Sequence, residues 1–274
     1  GRKLGELARS ASAHAVEHRV CRSAEELADE ARAAIDAGRE RLLVAGGDGT
    51  LHVALGALAG SDCALGVVPT GTGNDLARSL GLLEAPERAL GRALTARPRR
   101  IDLGRVDDRP YAGVAGLGLD GEVNRYLARR FPGRRRPWMY AWATLRTLAS
   151  FRPPGVRARF DGEDTARPTL LAALANSGCF GGGMRIAPGA RLDDGLLDLV
   201  WIAPVSFPRL LLLFPRVYRG AHIGHPAVLH RPVASARLSV EGDPVTLYAD
   251  GEPVVPVGRS EVEVRCWPGA LWVV

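Results

Sequence analysis

"LLVAGGDGTLHVAL", residues 42–55, is the stretch on which the reading of this chain turns. Its first part is an apolar run of strand length. Its second part begins the repeat Leu51, Ala54, Leu55, Leu58, the spacing of one helix face. Between them stand Gly46, Gly47, Asp48, Gly49 and Thr50. Glycines at a strand-to-helix turn let the backbone approach an anion closely, and the helix adds unpaired N–H groups and the positive end of its dipole. Asp48 sits badly with that picture, because a carboxylate repels a phosphate. A Mg²⁺ ion between the two removes the conflict, since Mg²⁺ takes few carboxylates together with substrate phosphates. An Asp in such a turn also commonly bonds its own backbone. The residues alone leave both readings open.

Working outward, the same strand–turn–helix grammar recurs. Upstream, Leu4, Leu7, Ala8 and Ala11 mark one helix, and Ser23 with Glu26 forms a capping box for a second that Gly38 closes. Downstream, residues 64–68 read as a strand, "PTGTGND" (69–75) as a second glycine turn, and Leu76–Leu80 as the helix after it. Pro86 opens a further helix at its first position. This alternation predicts a parallel sheet covered by helices. In such a sheet every strand-to-helix turn leaves from one edge, where ligands bind. Two glycine turns on that edge carry more weight than either alone, and Thr50 and Thr72 add hydroxyls.

Beyond Arg99 the pattern changes to two strands around a polar turn at Asp107–Asp108, then two helical stretches, then short strands with turns such as "DGED", "LDDG" and "EGDP". A domain of residues 1–102 and a β-rich domain of residues 103–274 are expected, with the last residues returning to the first. The bulk properties fit a soluble globular protein: 46% apolar and 24% charged residues. No apolar run approaches the roughly 18 residues of a membrane span. Cys21, Cys63, Cys179 and Cys266 show no CxxC spacing and read as reduced thiols in a cytoplasmic protein. Net charge is +6 with Lys3 the only lysine, which favours anionic partners. No aromatic stacking positions on a basic sheet face can be assigned, so no nucleic-acid partner is expected.

Taken together, "GGDGTLHVALGAL" and "LGVVPTGTGNDLARSLG" resemble the diacylglycerol kinase catalytic family, which includes bacterial lipid kinases and sphingosine kinases. NAD kinases share the first motif. "NSGCFGGGMRIAPGARLDDGLLDLVW" (176–201), "RGAHIGHPAV" (219–228) and "YADGEP" (248–253) place the resemblance on the lipid-kinase branch.

The resemblance implies an α/β nucleotide-binding domain, NAD-kinase-like with a parallel sheet, and a mainly antiparallel β-sandwich domain. It implies that Gly46, Gly47, Asp48, Gly49 and Thr50, with Thr72, cradle the phosphates of ATP, and that Asp48 joins a magnesium–water network. It implies a structural Mg²⁺ held by the carbonyls of Arg191 and Leu196 and the carboxylate of Asp194. It implies Glu252 as proton acceptor, with Asp250 as alternative or orienting partner. The activity implied is transfer of the γ-phosphate to a lipid hydroxyl, diacylglycerol first. An NAD-kinase-like enzyme and a catalytically weak lipid- or nucleotide-binding relative stand as alternatives.

The sequence departs from the family at its start. The strand ending in an NPxSG-like motif either lies upstream of Gly1 or is absent, and the nucleotide-contacting threonine expected near Cys21–Ser23 is missing. A lipid substrate also requires a peripheral membrane surface. Candidates are the Arg-rich "RRFPGRRRPW" (129–138) with Trp138, Tyr140, Trp142 and Phe151, and "RLLLLFPRVY" (209–218), whose four leucines read more readily as core. His222 and His225 lack a third ligand and match no common zinc pattern. A homodimer stays open.

Overall fold

The computed structural model describes residues 16–131, 137–148 and 150–274, so the helix expected at Leu4–Ala11 and most of the arginine run lie outside it. The chain divides into two compact units, one reaching to Ile101 and including Gly269–Val274, the other Asp102–Pro268.

In the first unit, α1 (Ala24–Asp36) starts where the capping box placed it. Ser23 Oγ accepts from Glu26 N at 3.1 Å, while Glu26 reaches back to Arg22 N at 2.6 Å. Gly38 closes this helix at φ +64°, a backbone conformation glycine adopts without steric cost. β1 (Arg41–Gly46) and β2 (Ala64–Pro69) pair in parallel from Arg41↔Ala64 to Gly46↔Pro69. Residue 273 of β14 (Val262–Val273) lies parallel to β2 on its other side, opposite Leu65.

Between the strands run α2 (Asp48–Leu58), α3 (Asp75–Ser79) and α4 (Pro86–Thr95). Leu51, Ala54, Leu55 and Leu58 of α2 are all buried, the face its spacing predicted. Ala89 and Leu90 of α4 pack on Val68, and Arg41 ties the end of this helix to β1 through the carbonyls of Ala93 and Leu94.

The second unit is a β-sandwich. One antiparallel sheet has the order β10 (Val228–Val233), β9 (Leu197–Ile202), β8 (Leu171–Ala175), β5 (Val114–Gly118), β12 (Val245–Ala249), β13 (Glu252–Val257). The other joins β11 (Ser235–Glu241) to β14 and β6 (Gly155–Phe160), with β7 (Glu163–Pro168) outermost. The hairpin of β3 (Arg99–Val106) and β4 (Arg109–Tyr111) turns at Asp107–Asp108, as the sequence suggested.

Strand alternation supplies the core. Ala236, Leu238 and Val240 of β11 point inward and meet Leu174, Leu199 and Trp201 in one apolar cluster. Trp201 is fully buried, and its indole N–H is satisfied by Thr169 Oγ1 at 2.7 Å, as a buried indole requires.

Helices α5 (Leu119–Arg130), α6 (Pro137–Leu148) and α7 (Phe207–Val217) share an apolar cluster through Leu119, Val123, Leu127, Met139, Ala143 and Leu210. The leucine run of α7 departs from expectation. Only Leu213 is buried, while Leu212 is 73% exposed. A helix packed by one face can bury only a third or so of consecutive positions, whatever their chemistry.

Candidate active site

In the first unit, the register of β1 and β2 brings the two glycine turns to one edge. Their backbones touch: a Cβ on Gly71 would lie 2.5 Å from the Cα of Gly47. Thr70 N donates to Gly46 O at 2.9 Å, sealing the pair. Gly46 has its own reason, since its missing Cβ leaves room for Thr50, whose Cβ would otherwise be 2.4 Å away. Gly49 is different. A Cβ there meets nothing within 4 Å, so the turn is open above it, at the N-terminus of α2. Thr72 is exposed at the tip of the second turn.

The Asp48 carboxylate reaches across to the other turn. Its Oδ1 accepts from Leu76 N at 3.3 Å, capping α3. Its Oδ2 lies 2.7 Å from where a Cβ on Gly73 would stand, with Asp75 Oδ2 4.0 Å from the same point. Two carboxylates therefore flank a bare glycine, an arrangement with the hard-oxygen chemistry that suits a magnesium–water network. Asp75 escaped the sequence reading, as did Asn74. The buried Asn74 sits at φ 52° and clamps the turn by accepting from Gly71 N at 3.0 Å and donating to Gly71 O at 2.9 Å. The signal was present: "GND" before a helix pairs a left-handed-tolerant residue with an acid.

In the second unit, Asp250 and Gly251 form a two-residue hairpin loop between β12 and β13, with φ 51° and 83°. Two successive left-handed residues are the turn that matches strand twist. The Asp250 carboxylate folds back onto the chain entering β5. Its Oδ2 accepts from Ala112 N at 3.0 Å, and its Oδ1 from Gly113 N at 2.8 Å and Val114 N at 3.2 Å. Gly113 leaves the space, because a Cβ there would meet Asp250 Oδ1 at 2.6 Å. Both Asp250 oxygens are thus engaged by backbone. Glu252, the first residue of β13, is exposed.

Next to this hairpin lies Tyr248, paired with Gly116 of β5. Burial raises its phenol; Arg125 opposes that rise, and Glu122, Asp120 and Glu252 add to it. Asp120, in the first turn of α5, is pushed up to about 7 by burial, against backbone N–H bonds from Gly121 and from itself.

The loop 191–196 presents the third group. Asp102, buried and unremarked in the sequence, holds it in place: its carboxylate accepts from Gly195 N at 2.7 Å and its N–H donates to Leu192 O at 2.6 Å. Asp194 is exposed, and its Oδ1 accepts from Leu196 N at 3.1 Å. Among the described residues, no group of three or more His, Cys, Asp and Glu gathers anywhere. A cation here would therefore depend on one carboxylate, the carbonyls of Arg191 and Leu196, and water. That donor set fits Mg²⁺, which keeps several waters and prefers oxygen. Cys266 senses Asp102 and Asp194, but burial first pushes its thiol up to about 12, so it stays protonated and inert.

His222 is buried, with Nε2 3.0 Å from Ile186 O, which makes it a structural residue of the second unit.

A parallel sheet with two touching glycine turns, and a β-sandwich with an Asp-Gly-Glu hairpin, match the two-domain plan of kinases of the NAD-kinase type. Comparison with known proteins refines that class. Residues 2–106 match the model of the diacylglycerol kinase catalytic domain, and residues 113–274 that of the YegS C-terminal NAD kinase beta sandwich-like domain. A diacylglycerol kinase of Mycobacterium tuberculosis is 37% identical over 250 residues, 88% of this chain and 78% of its own length. The diacylglycerol kinase of Bacillus subtilis is 28% identical over 214 residues, 77% of this chain and 70% of its own. A solved structure described as a diacylglycerol kinase from Bacillus anthracis superposes with a TM-score of 0.70 at 17% identity, covering 94% of this chain and 84% of that one. The chain belongs to the diacylglycerol kinase family, and it is a lipid kinase.

Proposed function

We propose that this protein transfers the γ-phosphate of ATP to the free hydroxyl of diacylglycerol, giving phosphatidic acid and ADP. The hydroxyl oxygen bonds to the γ-phosphorus as the bond from that phosphorus to the β–γ bridging oxygen breaks. The hydroxyl proton passes to Glu252. Bound Mg²⁺ neutralises phosphoryl oxygen charge in such a reaction. The residues' own work is positional. Gly47, Gly49 and the α2 N-terminus offer backbone N–H groups to the phosphates, Thr50 and Thr72 add hydroxyls, and Asp48 with Asp75 gives the cation and its waters hard oxygens. Arg191, Asp194 and Leu196 hold the structural ion.

The observation that carries the assignment of roles is the engagement of both Asp250 oxygens by Ala112, Gly113 and Val114. A carboxylate accepting three amides is an anchor. Glu252, exposed at the end of the same hairpin, is the carboxylate positioned to take a proton. Because a hydroxyl turns acidic only as its oxygen bonds to phosphorus, an ordinary carboxylate suffices late in the step.

A lipid acceptor requires contact with a membrane surface. No described helix is long and apolar enough to cross one. Exposed Trp138 and Trp142 on α6, and Phe207, Leu211 and Leu212 on α7, supply interfacial side chains, with Arg146, Arg209 and Arg216 on the same helices for anionic headgroups. Phe151 does not join them, since it packs against the helix cluster.

The test is phosphate transfer from labelled ATP to a panel of micellar lipids and to NAD. Labelled diacylglycerol that disappears with Glu252→Gln supports the reading. Labelled NAD, or Mg-ATP binding without transfer to any lipid, refutes it.

A further inference from the structure

Asp120 is a carboxylic acid in an odd place. The residue as a whole is partly open, yet its Oδ1 is sealed from solvent with no hydrogen-bond partner. Buried polar atoms in native proteins are almost always paired, so an orphan calls for a reason. The sheet beneath has been cleared for it. Gly116 of β5 carries no side chain, and a Cβ there would stand 2.5 Å from Asp120 Oδ2. Gly116 pairs with Tyr248, and Tyr248 with Pro253, the neighbour of Glu252, so this carboxyl lies over the row of residues that leads to the hairpin. The ring of Tyr248 reaches within 3.2 Å of a Cβ position on Gly121, the residue after Asp120.

Burial is what argues against Asp120 carrying a charge. α5 itself brings Glu122, and Arg125, which is committed to Glu122 as a salt bridge. β12 brings Tyr248, whose phenol feels both Asp120 and Glu252 of β13. β5 brings no charged side chain, and β8 brings the carbonyl of Ala172, 3.4 Å from the same Cβ position on Gly116. Only the N–H groups of Gly121 and of Asp120 itself favour the anion.

We propose that Asp120 is a substrate-positioning residue which, in its protonated form, donates a hydrogen bond to an ester carbonyl oxygen of a neutral glycerolipid acceptor. This rests on the lipid-kinase reading above and narrows it. An ionised Asp120 would instead suit the ammonium group of a sphingoid base. The group's ordinary range is displaced to about 7, so the donor form is present in mildly acidic and neutral solution and is lost as pH rises further.

The experiment measures KM and kcat for micellar dioctanoylglycerol, and KM for Mg-ATP, from pH 5.5 to 8.5 in the wild type, Asp120→Asn and Asp120→Ala. Circular dichroism checks that each variant is folded. At pH 6 the alanine variant should show lipid KM raised about five- to tenfold, the scale of one lost hydrogen bond, with kcat and the ATP KM within about twofold of wild type. The asparagine variant keeps an N–H donor and should restore lipid KM. Wild-type lipid KM should climb above pH 7 towards the alanine value, and both variants should be flat.

A purely structural role at the α5 terminus would not separate the lipid KM from the ATP KM, nor give that pH profile. Equal behaviour of the two variants, a flat wild-type profile, or preference for a sphingoid base over diacylglycerol at pH 6 would overturn the proposal. If diacylglycerol is phosphorylated and Asp120 proves silent, this inference alone falls. If the wild type phosphorylates no lipid, the kinase reading falls and takes it along.

Discussion

Replacing Asp250 by Asn separates anchoring from chemistry in the Asp-Gly-Glu hairpin. Asn tolerates the left-handed backbone at φ 51°, so the substitution tests the acceptor atoms and little else. Its single amide oxygen can still accept from Gly113 and Val114, as a neutral instead of a charged partner. Its NH₂ group, however, would face the N–H of Ala112, now 3.0 Å from Oδ2. One unsatisfied donor costs about 1–3 kcal/mol, and losing charge assistance on two bonds adds about 0.5–1 kcal/mol each. The expected loss of stability is therefore about 2–5 kcal/mol, against a total of about 5–15 kcal/mol for a typical domain. Urea unfolding followed by circular dichroism would read it as a lower midpoint. Asp250→Ala strands all three donors and adds left-handed strain, for about 4–6 kcal/mol. Glu252→Gln, at an exposed position, should stay within about 0.5 kcal/mol of wild type while abolishing phosphate transfer. A stable Asp250→Asn protein that had lost transfer, beside an active Glu252→Gln protein, would refute the reasoning and reverse the two roles.

Four further outcomes are expected. Gly71→Ala places a methyl 2.5 Å from the Cα of Gly47, forcing the two turns apart, and should weaken Mg-ATP binding at least tenfold by titration calorimetry. Gly49→Ala meets open space, so it should raise helix stability by up to about 1 kcal/mol yet still lower ATP affinity by filling the phosphate's approach. His222 has its imidazole lowered by burial; the Ile186 carbonyl opposes this and His230 adds to it. The unfolded chain therefore binds the proton first. Stability present above pH 6.5 should be lost as pH falls, by at most about 1.4 kcal/mol per pH unit, and His222→Gln should remove that component of the urea midpoint. Combined Trp138→Ala, Trp142→Ala and Leu212→Ala should cut partitioning onto phosphatidylglycerol-containing vesicles about tenfold or more, since each buries apolar surface at the interface. Unchanged sedimentation with vesicles would remove α6 and α7 from the membrane contact.

The α/β pattern was legible because it is local. A strand of five or six apolar residues, a glycine turn and a periodic helix each announce themselves within a dozen positions, as Leu51, Ala54, Leu55 and Leu58 did. A β-rich second domain was legible from its short strands and turns; the sandwich came only with the family resemblance, and the strand order with neither. What stayed hidden depends on residues far apart in sequence. Nothing near Asp250 reveals that its partners are Ala112, Gly113 and Val114, or that Asp102 holds the loop before Leu196. The leucines of α7 misled for a related reason: composition states what a helix can bury, and only its neighbour decides which face is buried. The Gly116–Asp120 pairing had no sequence signal at all, because a glycine in a strand is silent until something is seen above it.

Residues 269–274 belong with the first unit, and Val273 lies beside Leu65 in its sheet. During synthesis β1 and β2 leave the ribosome early, while their last sheet neighbour emerges only after the whole second unit. At about 5–20 residues per second that wait is roughly ten to forty seconds. Through that interval β2 keeps one edge open, a template for any extended chain nearby. The α/β unit of this kinase is therefore begun before the β-sandwich and finished after it. A nascent chain stopped short of residue 269 would carry the glycine turns without the strand that completes their sheet.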